Sequence, residues 1–221
     1  KSLASNQEMP FKDILKVFMN PYILSILVVG FVSMWITTWV LTWAPTYLTQ
    51  IVGLEPQTMS LVFAAMGICG TIFAICMGKL TDTLFKRNKS LIKSYDRVLV
   101  AVFVIGAIAF ASTTVVTSPV LACLLLGTGL VLNTCLLPLN AAIKTMIIKK
   151  NLVGSVTGIS LSISSMAGVI GPWATGYLIT IAGEDVRSGF NSGVLVVVGL
   201  YLFTAIVLVA TRKLKITATE N

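Results

Sequence analysis

Six stretches of this chain run long enough to cross a bilayer without one charged side chain. They cover approximately residues 22–48, 58–77, 98–116, 121–143, 153–181 and 194–211. A helix needs roughly 20 apolar residues to span the hydrocarbon. Lipid offers no hydrogen-bond partner, so each spanning segment must satisfy its own backbone, and a helix does so. A barrel would need alternating segments of about 10 residues, a pattern this chain lacks. The breaks carry the charges and turn formers, as at Gly53-Leu54-Glu55-Pro56, Ser118-Pro119 and Gly183-Glu184-Asp185. Only 11% of the residues are charged, against about 25% in a soluble domain. The expected fold is an all-α membrane protein with six transmembrane helices.

Basic residues orient such a bundle, because Lys and Arg stay on the cytoplasmic side. With a cytoplasmic N-terminus, 15 of the 16 basic residues, from Lys1 to Lys215, fall inside, and only Arg187 falls outside. The expected orientation is therefore N-in and C-in. The net charge of +8 follows from this placement and does not point to nucleic acid. Residues 1–20 read as a cytoplasmic lead-in, 21–211 as the six-helix bundle and 212–221 as a cytoplasmic tail. Within the lead-in, Phe11, Ile14, Leu15 and Phe18 repeat at helical spacing, which suits either a short interfacial helix or a frayed start to the first span. No cleavable signal peptide is expected at the N-terminus, and the chain reads as the downstream part of something longer.

The chemistry on offer is narrow. There is no His, which removes the commonest acid/base group and metal ligand. Cys69, Cys76, Cys123 and Cys135 lie inside apolar runs and read as packing residues. No nucleophile–base pair is visible, so neither an enzyme nor a metal or other cofactor is expected. No ionisable group falls in the middle of a span, where proton relays are built. Lys144 is nearest and is expected to snorkel.

The polar residues within the spans are neutral. Asn133 and Asn140 share a helical face with Pro138 between them, which frees a carbonyl near residue 134. That face suits either a wet cavity or interhelical hydrogen bonds. Ser33 and Thr37 share a face of the first span, where Trp43 and Tyr47 read as interfacial anchors. Gly154, Gly158 and Ser162 form a small stripe in the fifth span, Ser164 and Gly168 lie on another, and Ser165 is close by. Close helix packing is the first reading of these stripes, with contact to a solute as the second. Gly70, Ala74 and Gly78 repeat the pattern in the second span.

Gly78-Lys79-Leu80-Thr81-Asp82-Thr83-Leu84-Phe85-Lys86-Arg87 closes the second span. It resembles the loop motif of the major facilitator superfamily, matching at Gly78, Leu80, Asp82, Lys86 and Arg87, with Thr83 and Phe85 in place of the usual Arg and Gly. Trp43-Ala44-Pro45-Thr46-Tyr47-Leu48 is similar to the ending of the seventh helix in the anion:cation symporter branch of that superfamily. Gly171-Pro172-Trp173-Ala174-Thr175-Gly176-Tyr177 resembles a stretch of its eleventh helix. The organophosphate-antiporter branch shares the Trp-x-Pro-Thr-Tyr-Leu ending but carries an Arg about where Thr37 stands.

The resemblance implies the C-terminal half of a twelve-helix transporter, spans seven to twelve, with a missing N-terminal six-helix half as partner. It implies transport of a small organic anion, such as a sugar acid, by symport with a proton or sodium ion and alternating access, in the plasma membrane. The implied substrate wall is Thr37, Asn133, Asn140, Ser162 and Ser165, with Asn140 favoured over Asn133. Gly78, Asp82, Lys86 and Arg87 would form a conformational gate, Asp82 capping a helix across the interface between halves. A rival from another class is a stand-alone six-span membrane scaffold that dimerises through its small stripes.

Overall fold

The computed structural model describes residues 11–212, and every span is helical. A short helix, α1 (Phe11–Phe18), leads into α2 (Pro21–Thr46), α3 (Pro56–Asn88), α4 (Arg97–Thr113), α5 (Pro119–Asn133), α6 (Leu136–Ile147), α7 (Lys150–Ala182) and α8 (Val186–Thr211). Helices α5 and α6 together make one span, which gives six membrane-crossing units and a multi-pass integral membrane protein. The tail at 213–221 and the first ten residues of the lead-in lie outside the described residues.

Local chemistry sets the helix ends. Pro21, Pro56 and Pro119 open their helices, where a missing N–H costs nothing. Asn20 and Asp185 accept backbone N–H bonds from Tyr22 (2.9 Å) and Ser188 (3.0 Å). Pro45 deprives the Leu41 carbonyl of its partner, and the helix widens to a π-turn over Tyr47–Ile51. Pro138 does the same to Thr134, and the helix breaks at Thr134–Cys135, where the sequence places the freed carbonyl. The helices outrun the apolar stretches. Helix α3 continues for eleven residues past Met77, so the Gly78–Arg87 motif is helical rather than a loop.

Helix α2 is the hub. It packs most extensively on α7, and also on α8, α6 and α5. Trp35 lies against Gly171 and Trp43 against Gly176, and the Trp43 indole N–H donates to the Pro172 carbonyl at 3.0 Å. The Tyr47 hydroxyl donates to the Thr113 carbonyl at 3.3 Å. Trp43 and Tyr47 therefore tie helices together. On the other side, Tyr201 of α8 fits between Phe103 and Phe110 of α4, with ring centroids 5.1 and 5.7 Å away.

Ile14 of α1 packs on Ile23, Ile148, Leu152 and Val156, while Leu15 points outward. Of the cysteines, Cys135 is buried, Cys123 is half-buried, and Cys69 and Cys76 are exposed on α3.

Helices α7 and α8 approach closely beside the turn that joins them. A Cβ on Gly189 would stand 2.6 Å from the Ile179 Cα, a backbone atom that cannot step aside. One on Gly199 would meet nothing within 4 Å. Gly189→Ala should therefore cost about 1–3 kcal/mol by overpacking and lower the melting temperature of the purified protein. Gly199→Ala should leave it unchanged or raised, through helix propensity. Equal melting temperatures for the two variants would contradict the close approach.

Candidate functional site

The sequence-derived polar residues do not converge on one point. Thr37 and Asn133 meet in a cavity of about 360 Å³ between α2, α3 and the α5–α6 span, walled by Val40, Phe63, Met66 and Leu137. Thr37 donates to the Ser33 carbonyl at 2.8 Å, as a helical threonine does. The Asn133 amide nitrogen donates to the Thr37 hydroxyl oxygen (3.1 Å) and the Ser33 carbonyl (3.4 Å). Both donors are thereby used. Its Oδ1 is buried without a hydrogen-bond partner, and so is the Ser33 hydroxyl oxygen. Only 6% of Asn133 is exposed, so that unused acceptor is expensive to keep. The corner is neutral, and in this conformation its unused acceptors have no surface open to the cavity.

Asn140 has another role here. Its amide nitrogen donates to the Ile26 carbonyl of α2 at 2.5 Å, and Ser164 of α7 faces Gly30 beside it. Asn140 is a clamp between helices, and the preference for it over Asn133 as the solute-facing group is not supported by its contacts. Ser162 and Ser165 are exposed on α7 and return their hydroxyls to the carbonyls of Gly158 and Leu161.

The packing face of α7 is instead Ser160, Ser164, Ala167, Gly171 and Thr175. The stripe of Gly154, Gly158 and Ser162, first read as a packing surface, is open, with nothing near either glycine. The sequence pairs Gly70 with Gly78, but the structure separates them. Gly70 lies under Thr134, whose hydroxyl is 2.8 Å from the Gly70 carbonyl, whereas Gly78 faces open space.

The Gly78–Arg87 motif occupies the last turns of α3, at the basic end of the bundle. Asp82 accepts a 2.6 Å hydrogen bond from Tyr95, and Lys86 and Arg87 are exposed. The contact described for Asp82 is thus within the chain. Sequence reasoning missed its neighbour Asp96, which is wholly buried and accepts from the Tyr22 hydroxyl at 3.0 Å. The available signal was an Asp beside the start of an apolar run, with the bonded residue 74 positions away. Lys144, expected to snorkel, is only 7% exposed. Among the described residues no carboxylate lies within 4 Å of it.

No protein-family model matches the chain. Over 173 residues, 75% of the chain, it is 28% identical to the hexuronate transporter of Bacillus subtilis (strain 168). That match spans 38% of the relative's length. The similarity is therefore to part of a membrane transporter.

Asn140→Ala should remove the interhelical bond to the Ile26 carbonyl, which keeps its helical partner, at a cost of about 0.5–1.5 kcal/mol. The expected result is lower abundance and melting temperature with an unaltered apparent affinity for solute. A loss of affinity at normal abundance would return Asn140 to the solute wall.

Proposed function

We propose that this chain is the C-terminal six-helix half of a major facilitator transporter, resembling the anion:cation symporter branch, with both ends of the half cytoplasmic. The complete protein would carry a small hydroxylated organic anion, of the sugar-acid class, across the plasma membrane. Transport would be symport with a proton or sodium ion, by alternating access around a midplane cavity.

The observation that carries this reading is the similarity, over 75% of the chain, to a protein whose name states hexuronate transport. A hexuronate combines several hydroxyls with one carboxylate. The Thr37–Asn133 corner offers neutral polar groups for the hydroxyls, with the unused Asn133 Oδ1 reaching them once the amide turns toward the cavity. The carboxylate and the coupling ion call for charged groups that this corner lacks, which assigns them to the absent half.

The open helix faces support that missing half. On α3, Ser60, Ala64, Gly67 and Thr71 form an exposed small stripe, and Leu61, Ile68 and Ile72 an exposed bulky one beside it. On α7, Gly154, Gly158, Ser162 and Ser165 play the first part, and Met166, Ile170 and Trp173 the second. Bulky apolar side chains suit lipid, and small ones allow another helix to approach closely. Gly78, Asp82, Lys86 and Arg87 stand at the basic end of the α3 stripe, where a gate between halves would close.

The test is uptake of labelled glucuronate by the complete transporter in membrane vesicles. Saturable uptake is expected. Asn133→Ala removes neutral hydrogen bonds worth about 0.5–1.5 kcal/mol and should raise KM about 2- to 12-fold at normal abundance. Absence of transport for every uronate tried would overturn the reading, and an unchanged KM would remove Asn133 from the solute wall.

A further inference from the structure

A second, larger cavity of about 880 Å³ opens at the basic end of the bundle. Its walls are the end of α3, the start of α2, the junction of α6 and α7, and helix α1. Lys16, Lys89 and Lys149 line it, against one carboxylate, Asp13. That carboxylate is already engaged, 3.6 Å from Lys16. Among the described residues, Lys89 and Lys149 have no carboxylate within 4 Å. Lys89 adopts φ 48°, a left-handed conformation that Gly or Asn takes at less cost, as it ends α3. Part of the lining, including Phe85 and Leu152, is apolar. Low-dielectric walls around one sign of charge focus the field into the opening.

The cavity shares no lining residue with the Thr37–Asn133 corner but is built on other turns of the same helices. Helices α2 and α3 and the α5–α6 span wall both. From Asn133 to Ile147 is about 20 Å along the helix axis. The buried Lys144 lies on that stretch, one turn from Asn140, and lines neither cavity.

We propose that this cavity is a vestibule that binds the carboxylate of the anionic solute at the basic face, with Lys89 and Lys149 as its principal cations. The inference rests on the anion-transport reading, deepens it by naming an outer site, and makes the protein kinetically sided. Loss of the two lysines weakens capture from the basic face and leaves capture from the opposite face intact.

The primary experiment uses the complete transporter in vesicles of both orientations at low ionic strength. Lys89→Gln/Lys149→Gln should raise the half-saturation for glucuronate at the basic face about tenfold and leave the other face unchanged. Lys79→Gln/Lys93→Gln removes the same charge from exposed sites at the same end but outside the cavity, and should change neither.

A second measurement needs no transport, so it survives failure of the functional reading. In a cysteine-free background, Ser90→Cys places a thiol in the cavity wall. An anionic sulfonatoethyl thiol reagent should label it about tenfold faster, relative to a neutral reagent, than it does once Lys89 and Lys149 are Gln. Equal labelling ratios with and without the lysines would overturn the vestibule, as would an equal loss in the control pair or at the opposite face. A dependence that appears only in vesicles containing phosphatidylglycerol would assign the cavity to a lipid headgroup and overturn it too.

Discussion

The close approach of α2 to α7 is the contact on which the bundle depends. Association of helices in lipid gains little from the hydrophobic effect, so close packing and hydrogen bonds must hold it. Gly168, Gly171 and Gly176 leave room for Thr38, Trp35 and Trp43, and the Trp43 indole finds its acceptor in the carbonyl of Pro172. With α7 fixed there, α2 still has surface for α5, α6 and α8, and α8 in turn carries α4. The Thr37–Asn133 corner and the Asn140 clamp both hang on α2, so the candidate site inherits its rigidity from this pairing.

The helices that share least in the core are α3 and α7, and their exposed surface is not uniform. On α3 small side chains occupy one face and bulky apolar ones the next, while on α7 the small positions are interleaved with the exposed Leu161 and Val169. The exposed positions of α8 include the bulky Leu195, Phe203 and Ile206 as well as Gly199. On α3 this division separates surface suited to lipid from surface suited to another helix. It also gives the similarity to part of a longer transporter a physical counterpart, since the small faces have no partner within the described chain.

The spans were legible because charge-free length is a requirement of the bilayer, and the break at Thr134 because proline removes a defined hydrogen bond. The helix ends were less so. Lys, Arg and Asp are compatible with a helix once it leaves the hydrocarbon, so α3 runs on to Asn88. The site was legible as a set of residue types but not as a set of contacts. Asn133 and Asn140 share a face, yet one borders a cavity while the other meets the Ile26 carbonyl, a difference decided by packing against α2. Likewise, periodicity found both small stripes of α7 but gave no means of telling the buried one from the open one. Asp96 and Tyr22 are polar residues at span ends whose pairing only the tertiary fold reveals.

The central claim is that the small faces of α3 and α7 are covered by helices outside this chain. Spin labels at Gly67 and Gly158, compared with one at Ile206, measure it directly through collision with oxygen dissolved in the bilayer. In the complete protein, the account predicts low oxygen accessibility at Gly67 and Gly158 and high accessibility at Ile206. Accessibility at both glycine positions as high as at Ile206 would show these faces open to lipid and contradict it.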